Sequence, residues 1–105
     1  ALYEDGQEVA RQFAASDVTP KLWFQTVGPT LQEWVDDVGP AARYMFGPVQ
    51  WTPDFQGYDK LFGYAHEYNS NFKARFGLDA DYVAAGASAS VQILALALER
   101  AFRTM

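Results

Sequence analysis

The chain has no cysteine, so no disulfide holds its fold and no thiol chemistry is open to it. Histidine occurs once, as His66, with Glu67 and Asp59 as the nearest carboxylates in sequence. One such residue does not make a nucleophilic triad, and a packed or solvated histidine is the simpler reading. Basic residues are scarce: 8 Lys and Arg stand against 13 Asp and Glu, for a net charge of -5. An acidic surface repels phosphate backbones, so no nucleic-acid partner is expected. Nor does a run of basic residues mark a helix for a membrane surface. Gly-rich phosphate cradles are missing, since the glycine of Gly86-Ala87-Ser88 falls inside a helical stretch. Neighbouring carboxylates occur at Glu4-Asp5, Asp36-Asp37 and Asp79/Asp81; Asp36-Asp37 forms no pincer, because adjacent residues on a helix point apart, and helix capping accounts for Asp5 and Asp81. Calcium-loop spacing is absent. Neither a catalytic role, nor a metal, nor a cofactor is therefore expected.

What is present is an apolar, aromatic chain of 105 residues, half hydrophobic, one fifth charged, with 3 Trp, 6 Tyr and 8 Phe. That composition describes globular material of about one small domain. The aromatics supply core and can also line ligand clefts. Residues 82–98 carry no charge but include Gly86, Ser88, Ser90 and Gln92. This falls short of the ~20 strongly apolar residues of a membrane span and predicts a buried helix. The first residue is not Met, and no basic segment with an apolar core opens the chain. The expectation is an internal stretch of a longer polypeptide or, failing that, a cytoplasmic protein.

Glycine and proline divide the chain at Gly28-Pro29, Gly39-Pro40, Gly47-Pro48, Pro53 and Gly57. A first helix is predicted from about Asp5, with Asp5 and Glu8 as a capping box, to about Ser16. Residues 21–27 read as a short buried strand between Pro20 and Gly28. A second helix is predicted to open with Pro29 at its first position and carries Leu31, Trp34, Val35 and Val38 on one face. Residues 43–51 are the second strand candidate. Helix and strand alternation predicts an α/β layer with parallel strands. A third helix is predicted from about Asp59 to Phe76, capped by Gly77, and a fourth from about Asp81 to Arg103. The small residues from Ala84 to Ser90 suggest close approach of another element to that helix, at Gly86 above all. Residues 51–54 look like a joint between a mixed first half and a helical second half.

Thr26-Val27-Gly28-Pro29-Thr30 links the carboxyl end of the first strand to a helix start, the edge where open α/β sheets hold ligands. The free amides and the hydroxyls of Thr26 and Thr30 would suit an anion or carboxylate. Such turns more often bind nothing.

The order of several segments resembles a known family. Tyr3-Glu4-Asp5-Gly6, Thr26-Val27-Gly28-Pro29, and the run from Phe46-Gly47-Pro48 through Trp51-Thr52-Pro53-Asp54 are similar to periplasmic solute-binding proteins of ABC importers, of the branched-chain-amino-acid type. So are Phe72-Lys73-Ala74-Arg75-Phe76-Gly77, Asp81-Tyr82-Val83-Ala84-Ala85-Gly86-Ala87 and Leu96-Ala97-Leu98-Glu99-Arg100-Ala101. The similarity covers nearly the whole chain.

That resemblance implies an α/β chain, a partial type I periplasmic-binding-protein fold with about four helices and two short parallel strands. Residues 1–50 would belong to the second, C-terminal lobe, residues 51–54 to a hinge crossover, and residues 55–105 to the first lobe. It implies a periplasmic, non-enzymatic protein that traps an amino acid or a small carboxylate, aromatic ones included, and delivers it to a membrane permease. Thr26, Gly28, Pro29 and Thr30 would face the ligand. In amino-acid binders of the family an acidic residue meets the ligand's ammonium group where Thr30 stands here. A neutral hydroxyl cannot neutralise a buried ammonium, which points to an acid without an amine. Trp51, beside the crossover, would pack on the ligand or on the hinge. An isolated stretch of this kind is expected to self-associate, because two strands make no stable sheet alone. The alternative reading is a free-standing small helical or α/β interaction domain with its aromatic stripes turned to a partner.

Overall fold

The computed structural model describes residues 3–105. The chain is a mixture of helices and small sheets: α1 (Tyr3–Ala15), β1 (Trp23–Phe24), α2 (Gln32–Val38), β2 (Met45–Phe46), β3 (Tyr58–Asp59), β4 (Gly63–Tyr64), α3 (Ala65–Phe76) and α4 (Tyr82–Thr104). It divides into two compact units, the first ending at Val49 and the second beginning at Gln50.

In the first unit α1 starts at Tyr3, two residues before the predicted capping box. Asp5 therefore lies inside the first helical turn as an acidic residue near the helix's positive end. Glu8 does not reach back to cap; its carboxylate accepts from the Gln12 amide at 2.9 Å instead. The side chain of α1 that packs deepest, Ala10, meets Trp34 and Val38 of α2, with Met45 of β2 against the same cluster. Trp34 is fully buried, and its indole N–H donates to the Tyr3 carbonyl at 3.2 Å. The predicted strands shrink to a parallel pair of two residues each, with Trp23 opposite Met45 and Phe24 opposite Phe46. Gly39 and Pro40 end α2 as expected, and the chain continues through a single 3-10 turn, Gly39–Ala42.

The second unit departs from the sequence expectation at its start. Residues 58–64 form an antiparallel hairpin rather than the first turns of a helix, with Tyr58 opposite Tyr64 and Asp59 opposite Gly63. The cause is Asp59. Its Oδ1 accepts from the backbone amides of Leu61 and Phe62 at 2.8 and 2.9 Å, replacing the hydrogen bonds a helix would offer. The helix then begins at Ala65, where Glu67 accepts from the Tyr64 amide at 2.7 Å. It ends as predicted on Gly77, whose φ of 78° lets its N–H turn back to the Lys73 carbonyl. Asp81 caps α4 by accepting from the Ala84 amide at 2.8 Å.

The fourth helix is not buried, contrary to expectation: no residue of its 23 is enclosed by the chain. Ala84, Ala85, Ser88 and Gln92 form its half-covered face. Val91, Ile93, Leu94, Leu96, Leu98 and Phe102 are exposed. Gly86 faces open space, so the close approach predicted there does not occur; the small residues that are half-covered are Ala84, Ala85 and Ser88. By length and composition α4 is apolar enough to cross a membrane.

Candidate functional site

The turn after β1 is built from the sheet outward. Gln25 leaves the strand as a buried polar residue, its backbone N–H donating to the Phe46 carbonyl at 2.9 Å. Its side-chain amide donates to the Val27 carbonyl at 2.9 Å, which fixes the start of the turn from within. Gly28 then adopts a φ of 115°, and a side chain there would collide with the Trp34 indole. Glycine is required twice over, for backbone conformation and for space. The Leu31 amide closes the turn on the Gly28 carbonyl at 2.8 Å. Pro29 and Thr30 rest over Gly47, where an added Cβ would stand 3.4 and 3.5 Å from them and 2.9 Å from the Gln25 carbonyl oxygen.

This arrangement brings Thr26, Gly28, Pro29 and Thr30 together at the carboxyl end of the parallel pair, beside Gly47. Thr26 is exposed, Gly28 is buried, and Pro29 and Thr30 are half-buried. One part of the predicted site changes. Pro29 does not open the helix; α2 begins at Gln32 and is only 7 residues long. The Leu31 amide is spent on the turn, which leaves the hydroxyls of Thr26 and Thr30 beside the start of α2.

Trp51 belongs to the second unit, where its ring meets Tyr68 edge-to-face with centroids 5.5 Å apart. It lines a cleft of about 230 Å³ with Phe55, Tyr58, Asp59, Phe62, Tyr64, Tyr68, Ser88 and Gln92. Two hydrogen-bonded links cross this cleft to α4. The Tyr68 hydroxyl lies 2.8 Å from that of Ser88, and the Gln92 amide donates to Asp59 Oδ2 at 2.9 Å. Backbone donation from Phe62, then the Gln92 amide and the Leu61 N–H, holds the Asp59 carboxyl below its usual range against an opposing effect of burial. Sequence reasoning missed this cleft, because its walls come from a hairpin it had read as helix. Asp59 followed four residues later by Gly63 was the turn signal that could have revealed it.

His66 is exposed and stacks on Tyr64 with centroids 5.6 Å apart. Asp59 is committed to amides and not to the imidazole. Among the described residues no three His, Cys, Asp or Glu side chains gather to hold a metal ion. Near α1 the Tyr3 hydroxyl is buried without a hydrogen-bond partner among the described residues. Burial, and then the negative charges of Glu33 and Asp37, push its pKa up.

No known family matches this chain, and no solved structure matches it.

Proposed function

We propose that the chain is part of a two-lobed, extracytoplasmic solute-binding protein that hands a small carboxylate to an ABC-type membrane permease. The observation that carries the reading is the division of the chain between Val49 and Gln50, immediately ahead of the segment 51–54 whose residues resemble a lobe crossover. Residues 1–50 then belong to the C-terminal lobe and residues 55–105 to the N-terminal one.

Two further features support it. Parallel strands are ordinarily covered on both faces. Here Phe24 and Phe46 stack across β1 and β2 with centroids 6.3 Å apart and remain exposed. The apolar residues of α4 are likewise uncovered. Both surfaces suit a chain that is completed by more polypeptide. In the lobe, Thr26, Gly28, Pro29 and Thr30 form the ligand-facing turn, with Gln25 and Trp34 holding it in place. The absence of a carboxylate at Thr30 selects an acid without an ammonium group, and Trp51 packs at the hinge against Tyr68.

The test is the intact mass of the native polypeptide containing this sequence, followed by a thermal-shift screen of that polypeptide with amino acids and with aliphatic and aromatic acids. A protein of several hundred residues stabilised by an acid, and less so after Thr30→Val, is the expected result. A native polypeptide no longer than this chain, stabilised by none of these ligands, would exclude the reading and favour the interaction domain.

A further inference from the structure

Six aromatic rings surround the cleft of the second unit: Trp51, Phe55, Tyr58, Phe62, Tyr64 and Tyr68. They do not stack flat on each other. Trp51 and Phe62 both meet Tyr68 edge-to-face, at 5.5 and 5.3 Å, and Tyr58 meets Tyr64 with rings inclined at 66°. Edge-to-face contact covers one ring face in each such pair, and the remaining faces and edges of the six rings wall the cleft. The face of an aromatic ring is electron-rich and attracts positive charge.

Asp59 is the one ionisable carboxylate on the cleft wall, and no Lys or Arg lines the cleft with it. Its oxygens accept from two backbone amides and from Gln92, all neutral donors. The ion pairs among the described residues, Lys73 with Asp79 and Arg103 with Glu99, lie elsewhere. The amides orient the carboxylate without cancelling its charge. A cavity with an uncompensated negative charge repels anions. With a single carboxylate it is also a poor place for a divalent metal, which demands several oxygen ligands. A weakly hydrated cation satisfies both the rings and the carboxylate.

We propose that this cleft binds a small organic cation, an alkylated ammonium group enclosed by the aromatic rings and facing Asp59. The inference does not depend on the two-lobed reading, because every residue it uses lies in the second unit. A volume of about 230 Å³ accommodates a methylated ammonium head with part of a side chain. Tyr58 and Phe55 are exposed at its edge, so a ligand can enter without the links from Tyr68 and Asp59 to α4 opening.

The test is an NMR titration of the native polypeptide that contains this sequence with tetramethylammonium chloride at constant ionic strength, beside its neutral near-isostere tert-butanol. Saturable shifts of the Trp51 and Tyr68 ring resonances are expected with the cation. Asp59→Asn should weaken that binding by about tenfold or more while leaving tert-butanol unaffected. Asn can still accept from the Leu61 and Phe62 amides, so the hairpin should persist. If its spectrum shows that it does not, Tyr58→Leu removes an edge ring and should weaken cation binding by about threefold. Three results would overturn the proposal. They are no saturable shift up to about 100 mM tetramethylammonium, tert-butanol binding as tightly as the cation, or affinity unchanged in the folded variant.

Discussion

The Tyr68 hydroxyl donates to the Ala84 carbonyl at 3.1 Å and lies 2.8 Å from the Ser88 hydroxyl, so a single side chain of α3 grips α4 at two successive turns. The same ring contacts Trp51, Phe62 and Phe72. Polar and apolar contacts can be separated by substitution. Tyr68→Phe keeps the ring and should cost about 1 kcal/mol for the lost hydrogen bonds. Tyr68→Ala should cost about 3 kcal/mol, since it also empties the aromatic cluster. Urea unfolding followed by tryptophan fluorescence measures both, and equal losses in the two variants would deny the ring its packing role.

Two glycines should behave in opposite ways. Gly28→Ala forces a side chain into the Trp34 ring at a φ of 115°, and is expected to destabilise the first unit by about 3 kcal/mol. Gly86→Leu enters open space inside a helix and, by removing glycine's backbone freedom, should raise stability by about 0.5 to 1 kcal/mol. The run of small residues from Ala84 to Ser90 predicts instead a close neighbour at Gly86. A large drop in melting temperature for that variant would restore a close neighbour at this position.

Acid should loosen the second unit. Asp59 is held below its ordinary 3.8 mainly by the Phe62 amide, and Asp79 mainly by the Asn69 side chain and then by Lys73. The folded chain thus binds these protons less tightly than the unfolded one. Their stabilisation is complete above the ordinary carboxylate value and is lost as pH falls through the lowered folded values. Melting midpoints measured from about pH 7 down to pH 2 should fall most steeply below pH 4. Asp59→Asn and Asp79→Asn should each flatten that fall; an unaltered profile in the double variant would place the acid sensitivity elsewhere.

The uncovered apolar side of α4 predicts self-association of the isolated chain. Leu94 and Leu98, 60% and 51% exposed, lie one turn apart on that helix. Sedimentation equilibrium should show a mass rising with concentration, and Leu94→Lys with Leu98→Glu should shift it toward the monomer. A monomeric mass at every concentration would contradict the expectation.

Local signals were readable wherever the controlling group lies within a few residues. Asp81 caps α4, Gly77 ends α3, and Gly39-Pro40 ends α2, each through contacts inside one turn. The parallel pairing of the first two strands was legible from helix and strand alternation, although only two residues of each strand pair. The hairpin at residues 58–64 was hidden, because Leu61, Tyr64 and Tyr68 also fit a helical stripe and only the Asp59 side chain tips the balance.

Composition and sequence spacing by themselves determined the mixed helix and strand content, the absence of thiol chemistry and the chain breaks at Gly28-Pro29 and Gly39-Pro40. Those properties depend on side-chain type and on neighbours a few bonds away. Tertiary structure alone decided that Asp59 answers to Gln92, 33 residues distant, that Tyr68 answers to Ser88, and that α4 presents Ser88 and Gln92 inward while Gly86 faces solvent. Hydrogen bonds and ring contacts of that span form only once the hairpin and two helices have packed, and no local pattern in the chain encodes which partners will meet.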